Sequence, residues 1–66
     1  MVTKKDLVKD IPFIEDDAIY NAVDLALWLI VDRHAGINYS INCACAKHNA
    51  KPKCKVREIV LSVLPS

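Results

Sequence analysis

The strongest hydrophobic periodicity covers residues 15–35, where apolar side chains recur every three or four positions. Three acidic residues open this stretch and Arg33 and His34 close it, which are the charges that a helix dipole favours at its two ends. Gly36 follows and can adopt a positive φ after a last helical turn. We therefore predict a long central helix over about 15–35. Its central apolar stripe consists of Ile19, Ala22, Val23, Ala26 and Ile30.

Three shorter segments complete the predicted fold. A capping Thr3 indicates a short helix over about 4–9, which Pro12 keeps from continuing. A second helix is expected over about 41–49, with Ser40 as its N-cap. Apolar and polar residues also alternate over 37–45, which is typical of a strand. Residues 53–64 show the spacing of an amphipathic helix, with β-branched residues that also suit a strand. The sequence predicts one all-α domain of three to four helices spanning 1–66; the alternative is an α+β fold with a C-terminal β-hairpin.

The central helix has more apolar surface than two short companions comfortably cover. The chain has 66 residues and is 53% hydrophobic, and a domain of this size buries a core that rarely gives more than about 3–5 kcal/mol without help. A partner subunit, a metal ion or another protein would supply that help. We therefore expect a homodimer or a protein-binding module.

The only tryptophan lies in the narrow polar arc of the central helix. An aromatic side chain ringed by polar ones is typical of a protein-interface anchor. In the alternative interpretation, Leu7, Phe13 or Ile14 folds over Trp28 and makes it the outer wall of the core. The predicted protein-interface residues are Trp28, Asp24, Asn21, Asp32 and Leu25.

Charge divides the chain into two halves, although the net charge is only +1. Residues 1–32 carry a net charge of −4, whereas residues 33–66 carry +5. Such a split indicates either that the halves attract each other or that the basic half contacts an anionic partner. The alternative function is therefore a small nucleic-acid-binding regulator. The basic residues that would contact phosphates are Lys47, Lys51, Lys53, Lys55 and Arg57.

Residues 36–41, with the sequence Gly-Ile-Asn-Tyr-Ser-Ile, resemble the turn and the first residues of the recognition helix in helix-turn-helix proteins. That resemblance implies contact between the following helix and a DNA groove. The pattern departs from the family at Asp32, where a small buried residue is expected. The following helix also lacks arginine, the commonest specific base reader.

The cysteines and one histidine fall close together in the C-terminal half. A Cys3His set is an accepted ligand group for structural zinc, although the Cys-x-Cys spacing is tighter than usual. We therefore expect no cofactor, with zinc as the alternative. The opposing interpretation treats the cysteines as small buried apolar residues. The candidate metal ligands are Cys43, Cys45, His48 and Cys54.

No catalytic constellation is visible, because the carboxylates of the central helix are spread along a surface and are not paired in a cleft. The longest apolar run is far shorter than a membrane span, and the N-terminus lacks the apolar core of a signal peptide. We expect a cytoplasmic protein without enzymatic activity. The function expected from the sequence is that of a small adaptor or inhibitor that binds another protein, or a second copy of itself, through a helical surface.

Overall fold

Four α-helices and one π-helical turn form the fold in the computed structural model, which describes residues 2–65. The helices are α1 (Lys4–Val8), α2 (Asp17–Leu27), α3 (Ile37–His48) and α4 (Lys53–Val63), and the π-helical turn Trp28–Asp32 continues α2. The described residues contain no strand. The prediction of a small all-α domain is therefore confirmed, and the alternative with a C-terminal β-hairpin is wrong.

The start of α2 is determined by a single carboxylate. Asp16 accepts hydrogen bonds from the backbone N–H groups of Ala18, at 2.9 Å, and Ile19, at 3.3 Å. This cap satisfies donors that the first helical turn leaves free. The helix consequently begins at Asp17, two residues later than its acidic run alone indicated.

The apolar stripe of α2 packs where its periodicity predicts. Ile19, Ala22, Val23 and Ala26 are at most 3% exposed, and Ile30 packs against this core. The most extensive helix–helix contact of the fold joins α2 to α3. From α3 the core receives Ile41, Ala44 and Cys45, and from α4 it receives Val56, Val60 and Val63.

The end of α2 differs from the prediction. The N–H of Arg33 donates to the carbonyl of Trp28, five residues back, at 3.2 Å, and the N–H of Ala35 donates to Leu29 at 2.9 Å. These wide turns bring the chain reversal forward to His34, whose φ is +58°. Gly36 has φ −64° and ψ 149° and is the N-cap of α3. The prediction that Gly36 ends the central helix with a positive φ is therefore wrong.

Because Gly36 starts a new helix, α3 begins at Ile37, four residues before the predicted start. Ser40 lies inside this helix and is completely buried, so the prediction that it caps the helix is wrong. The helix ends at His48, followed by Asn49 in the left-handed region with φ +52°. Asparagine tolerates that conformation better than most residues, so α3 ends at this position, before Pro52 is reached.

α1 is held on the molecule by both polar and apolar contacts. The Thr3 N–H donates to the Asp6 carboxylate at 3.0 Å, in agreement with the predicted N-terminal cap. The Lys4 N–H donates to Asp32 Oδ1 at 2.9 Å, across the end of the π-helical turn. Leu7 is buried in the core beside α2. The short helix therefore gains its stability from docking, since five residues are too few for an isolated helix.

We predict that Gly36→Ser stabilises the protein by about 0.5–1 kcal/mol. The backbone already has a φ that serine adopts freely, nothing lies within 4 Å of an added Cβ, and a serine hydroxyl can cap α3. Gly36→Ala should change the stability by less than about 0.5 kcal/mol, since alanine restricts the unfolded chain but is a poorer N-cap than glycine. Urea unfolding followed through Trp28 fluorescence measures the differences. Destabilisation by both variants would indicate a positive φ at Gly36 and contradict this assignment.

Candidate protein-binding site

A cleft of about 360 Å³ lies beside the only tryptophan of the chain. Trp28 is 38% exposed there, although its neighbours Ala26 and Leu27 are completely buried. We call this surface the Trp28 cleft. Its lining residues are Lys4, Asn21, Asp24, Leu25, Trp28 and His48.

Helical spacing brings most of these residues together. Asn21 lies three and four residues before Asp24 and Leu25, and Trp28 lies four and three residues after them, so these side chains are neighbours on one side of α2 and the π-helical turn. Four of the five predicted interface residues therefore line one cleft. The fifth, Asp32, does not line it and instead accepts the hydrogen bond from the Lys4 backbone.

The charges beside the cleft are already partly paired. Lys4 Nζ lies 3.1 Å from Asp24 Oδ1, and the guanidinium of Arg33 lies 5.7 Å from the centroid of the Trp28 ring. Both members of the Lys4–Asp24 pair are about one-third exposed, so the pair contributes little to stability. The polar arc of the central helix is therefore less negative than the sequence indicates, because the positive charge of Lys4 offsets part of the negative charge at Asp24.

Two lining residues were missed in the sequence, namely Lys4 and His48. Lys4 reaches the cleft because α1 docks across the end of α2. In the sequence, the N-cap at Thr3 indicated the helix but not where it docks. His48 is the last residue of α3 and falls on the stripe that starts at Ile41. The spacing of Ile41, Ala44, Cys45 and His48 could be read in the sequence. The sequence did not show that His48 would lie beside α2.

The N-terminal segment leaves the cleft open. Phe13 is 92% exposed, so the alternative in which it folds over Trp28 is wrong, whereas Ile14 is half-buried against the core. Leu7 is buried, but Trp28 stays more than one-third exposed. The structure therefore presents Trp28 as an accessible aromatic side chain.

The predicted basic residues do not share one face. Within α4, Lys53 and Arg57 are four residues apart on one side, and Lys55 lies on another. Arg57 donates a hydrogen bond to Asn38 of α3, whereas Lys51 and Lys55 line a separate groove beside Phe13. The fifth residue, Lys47, is exposed near the end of α3. Lys51 and Lys55 are therefore separated from Lys53 and Arg57, and the basic run does not form one surface.

The cysteines occupy three different environments. Cys45 is buried, Cys43 is half-buried and Cys54 is exposed in the first turn of α4. Across residues 2–65 there is no group of three or more His, Cys, Asp or Glu side chains placed to hold a metal ion. The structure thus does not assemble Cys43, Cys45, Cys54 and His48 into a zinc site.

Two groups on α3 have perturbed acidity. Burial raises the pKa of the Cys45 thiol, and the positive charge of Lys53 acts in the opposite direction. A hydrogen bond with Cys43 raises the pKa of the Tyr39 hydroxyl, one helical turn away. Neither arrangement provides an activated nucleophile, because a raised thiol pKa reduces the thiolate fraction.

Comparison of the chain with protein-family models, with curated proteins and with solved structures found no match. Within residues 2–65, none of the helices combines the length and the apolar character needed to cross a membrane.

We predict an order of thiol alkylation under native conditions. Cys54 should react first because it is exposed, Cys43 more slowly, and Cys45 last because burial both shields its sulfur and raises its pKa. Peptide mass spectrometry over a time course measures the order, and labelling in urea provides the control in which it disappears. Simultaneous protection of all three thiols by added Zn²⁺ would contradict the separated positions.

Proposed function

We propose that this chain is a small non-catalytic regulator that binds another protein through the Trp28 cleft. The observation that carries the proposal is the position of Trp28, a large aromatic side chain left accessible in a cleft while smaller apolar neighbours fill the core. Tryptophan is enriched among residues that dominate binding energy at protein interfaces.

The composition of the cleft wall favours a protein partner over a small charged ligand. Leu25 and Trp28 supply apolar surface, and Asn21, Asp24 and His48 supply polar groups. Protein interfaces typically combine apolar and aromatic surface with polar groups in this way.

The expected partner side chain is apolar with a cationic or hydrogen-bonding neighbour. Asp24 is one-third exposed and already has Lys4 beside one of its oxygen atoms. A partner cation there would share the carboxylate with Lys4, and an apolar group would cover the Trp28 ring. Because Lys4 belongs to α1, binding at the cleft would also restrain that short helix.

Selection of a displayed random peptide library on the full chain tests this proposal. Recovered peptides, carrying a fluorescent label, should bind the chain and shift the emission of Trp28 to shorter wavelength as its surroundings become apolar. Trp28→Ala should weaken their binding by roughly 30-fold or more, which corresponds to an interface hot spot of about 2 kcal/mol. Fluorescence anisotropy of the labelled peptide measures both affinities.

Tyr39→Ala is the matched control, because Tyr39 is a 63% exposed aromatic residue on α3 that does not line the cleft. Its affinity for the same peptides should stay unchanged. Circular dichroism establishes that both variants remain folded. Equal affinity of the peptides for the original chain and for Trp28→Ala would contradict the proposal.

The nucleic-acid alternative stays a prediction from the sequence, and it implies a different result. Phosphate contacts by several lysines would give binding to a labelled duplex whose affinity falls steeply with salt. We expect no saturable duplex binding even at about 50 mM salt, because Lys47, Lys51, Lys53, Lys55 and Arg57 do not lie on one face. Anisotropy titration measures it, and a steep negative salt dependence would favour the alternative.

A further inference from the structure

The most exposed large apolar side chain of the described residues is Phe13, at 92%. It lies in the segment between α1 and α2, directly beside a groove of about 660 Å³. Leaving a phenylalanine in water forgoes most of the favourable free energy that its burial would give. Burial of Phe13 in an apolar site on another molecule would recover that free energy.

The groove beside Phe13 is such a site. We call it the Phe13 groove, and it lies between the segment that precedes α2 and the beginning of α4. Its volume falls within the range of roughly 300–1,000 Å³ in which pockets accept a bulky group. The apolar residues that line it, besides Phe13 itself, are Pro12, Ile14, Ile19, Pro52 and Ile59.

The two walls of the groove carry opposite charges. Glu15 and Asp16 lie on the wall that contains Phe13, whereas Lys51 and Lys55 lie on the wall formed around α4. The Asp16 carboxylate already caps α2, but no ion pair of Glu15 is present among residues 2–65. The groove thus combines an aromatic anchor, an apolar recess and a charge on each wall.

We propose that the Phe13 groove is the interface of a homodimer with two-fold symmetry. In such a dimer the same surface of both copies meets itself, so that every contact occurs twice. Phe13 of each copy packs into the groove of the other, and Glu15 of each copy faces Lys51 and Lys55 of the other. The occupant is a second copy because one surface supplies both the anchor and its recess, and both the acid and its bases.

Sedimentation analysis of the full chain over a range of concentrations tests the dimer. The chain should associate reversibly, and Phe13→Ala should weaken association by roughly 100-fold because each dimer loses two buried rings. Phe13→Ala is expected to fold normally, since this side chain contributes almost nothing to the core. Tyr39→Ala is the matched control and should dimerise as the original chain does.

A charge exchange tests the symmetry and the pairing. Glu15→Lys alone and Lys55→Glu alone should each dimerise poorly, because positions 15 and 55 then carry like charges in both of their contacts. An equimolar mixture of the two variants should form a heterodimer, since both contacts between positions 15 and 55 again join opposite charges. Association of the mixture with neither variant associating alone would support the pairing.

Three results would overturn the proposal: a monomer at every concentration, association unchanged by Phe13→Ala, or a mixture that associates no better than its separate components. Trp28→Ala should leave dimerisation intact, because Trp28 does not line the groove. The dimer can therefore fail while peptide binding at the Trp28 cleft holds, and the reverse.

Discussion

The contact between α2 and α3 is the one on which the rest of the molecule depends. Ala22 and Ala26 of α2 and Ala44 of α3 are completely buried, and such small side chains allow two helices to approach closely. α4 and α1 add Val56, Val60 and Leu7 to the core that this contact creates. A core built from small and aliphatic residues has little room for large rings. None of the four aromatic residues is buried, and they are Phe13, Tyr20, Trp28 and Tyr39.

Three acidic side chains of the N-terminal half make contacts that stabilise the fold and that the sequence pattern did not predict. Asp16 caps α2, Asp32 accepts a hydrogen bond from the α1 backbone, and Asp24 pairs with Lys4. These three carboxylates are therefore only partly available to a partner. Glu15 differs from the three aspartates, because among residues 2–65 its carboxylate has no hydrogen bond or ion pair, and it lines a groove whose other wall carries lysines.

Hydrophobic periodicity predicted the helices and their buried faces well, because an amphipathic helix buries its apolar face whatever the conformation of the loops that connect it. The stripes at Ile19 to Ala26 and at Val56 to Val63 needed no knowledge of the loops. The helix ends were less predictable: a π-helical turn placed the chain reversal at His34 and left Gly36 to start α3. Four residues of the Trp28 cleft followed from helical spacing. Lys4 and the exposure of Phe13 did not, because they depend on how α1 and the following segment cross the core.

The two surfaces have consequences for each other. The Trp28 cleft and the Phe13 groove share no lining residue, so a dimer formed through the groove keeps both clefts available. A symmetric dimer with two such clefts can bind two sites on one partner, and the second binding event is then intramolecular. Weak recognition at each cleft would become strong binding to a partner with paired or repeated sites. Through such avidity, a small domain whose single clefts bind weakly could still distinguish an assembled partner from its isolated subunits.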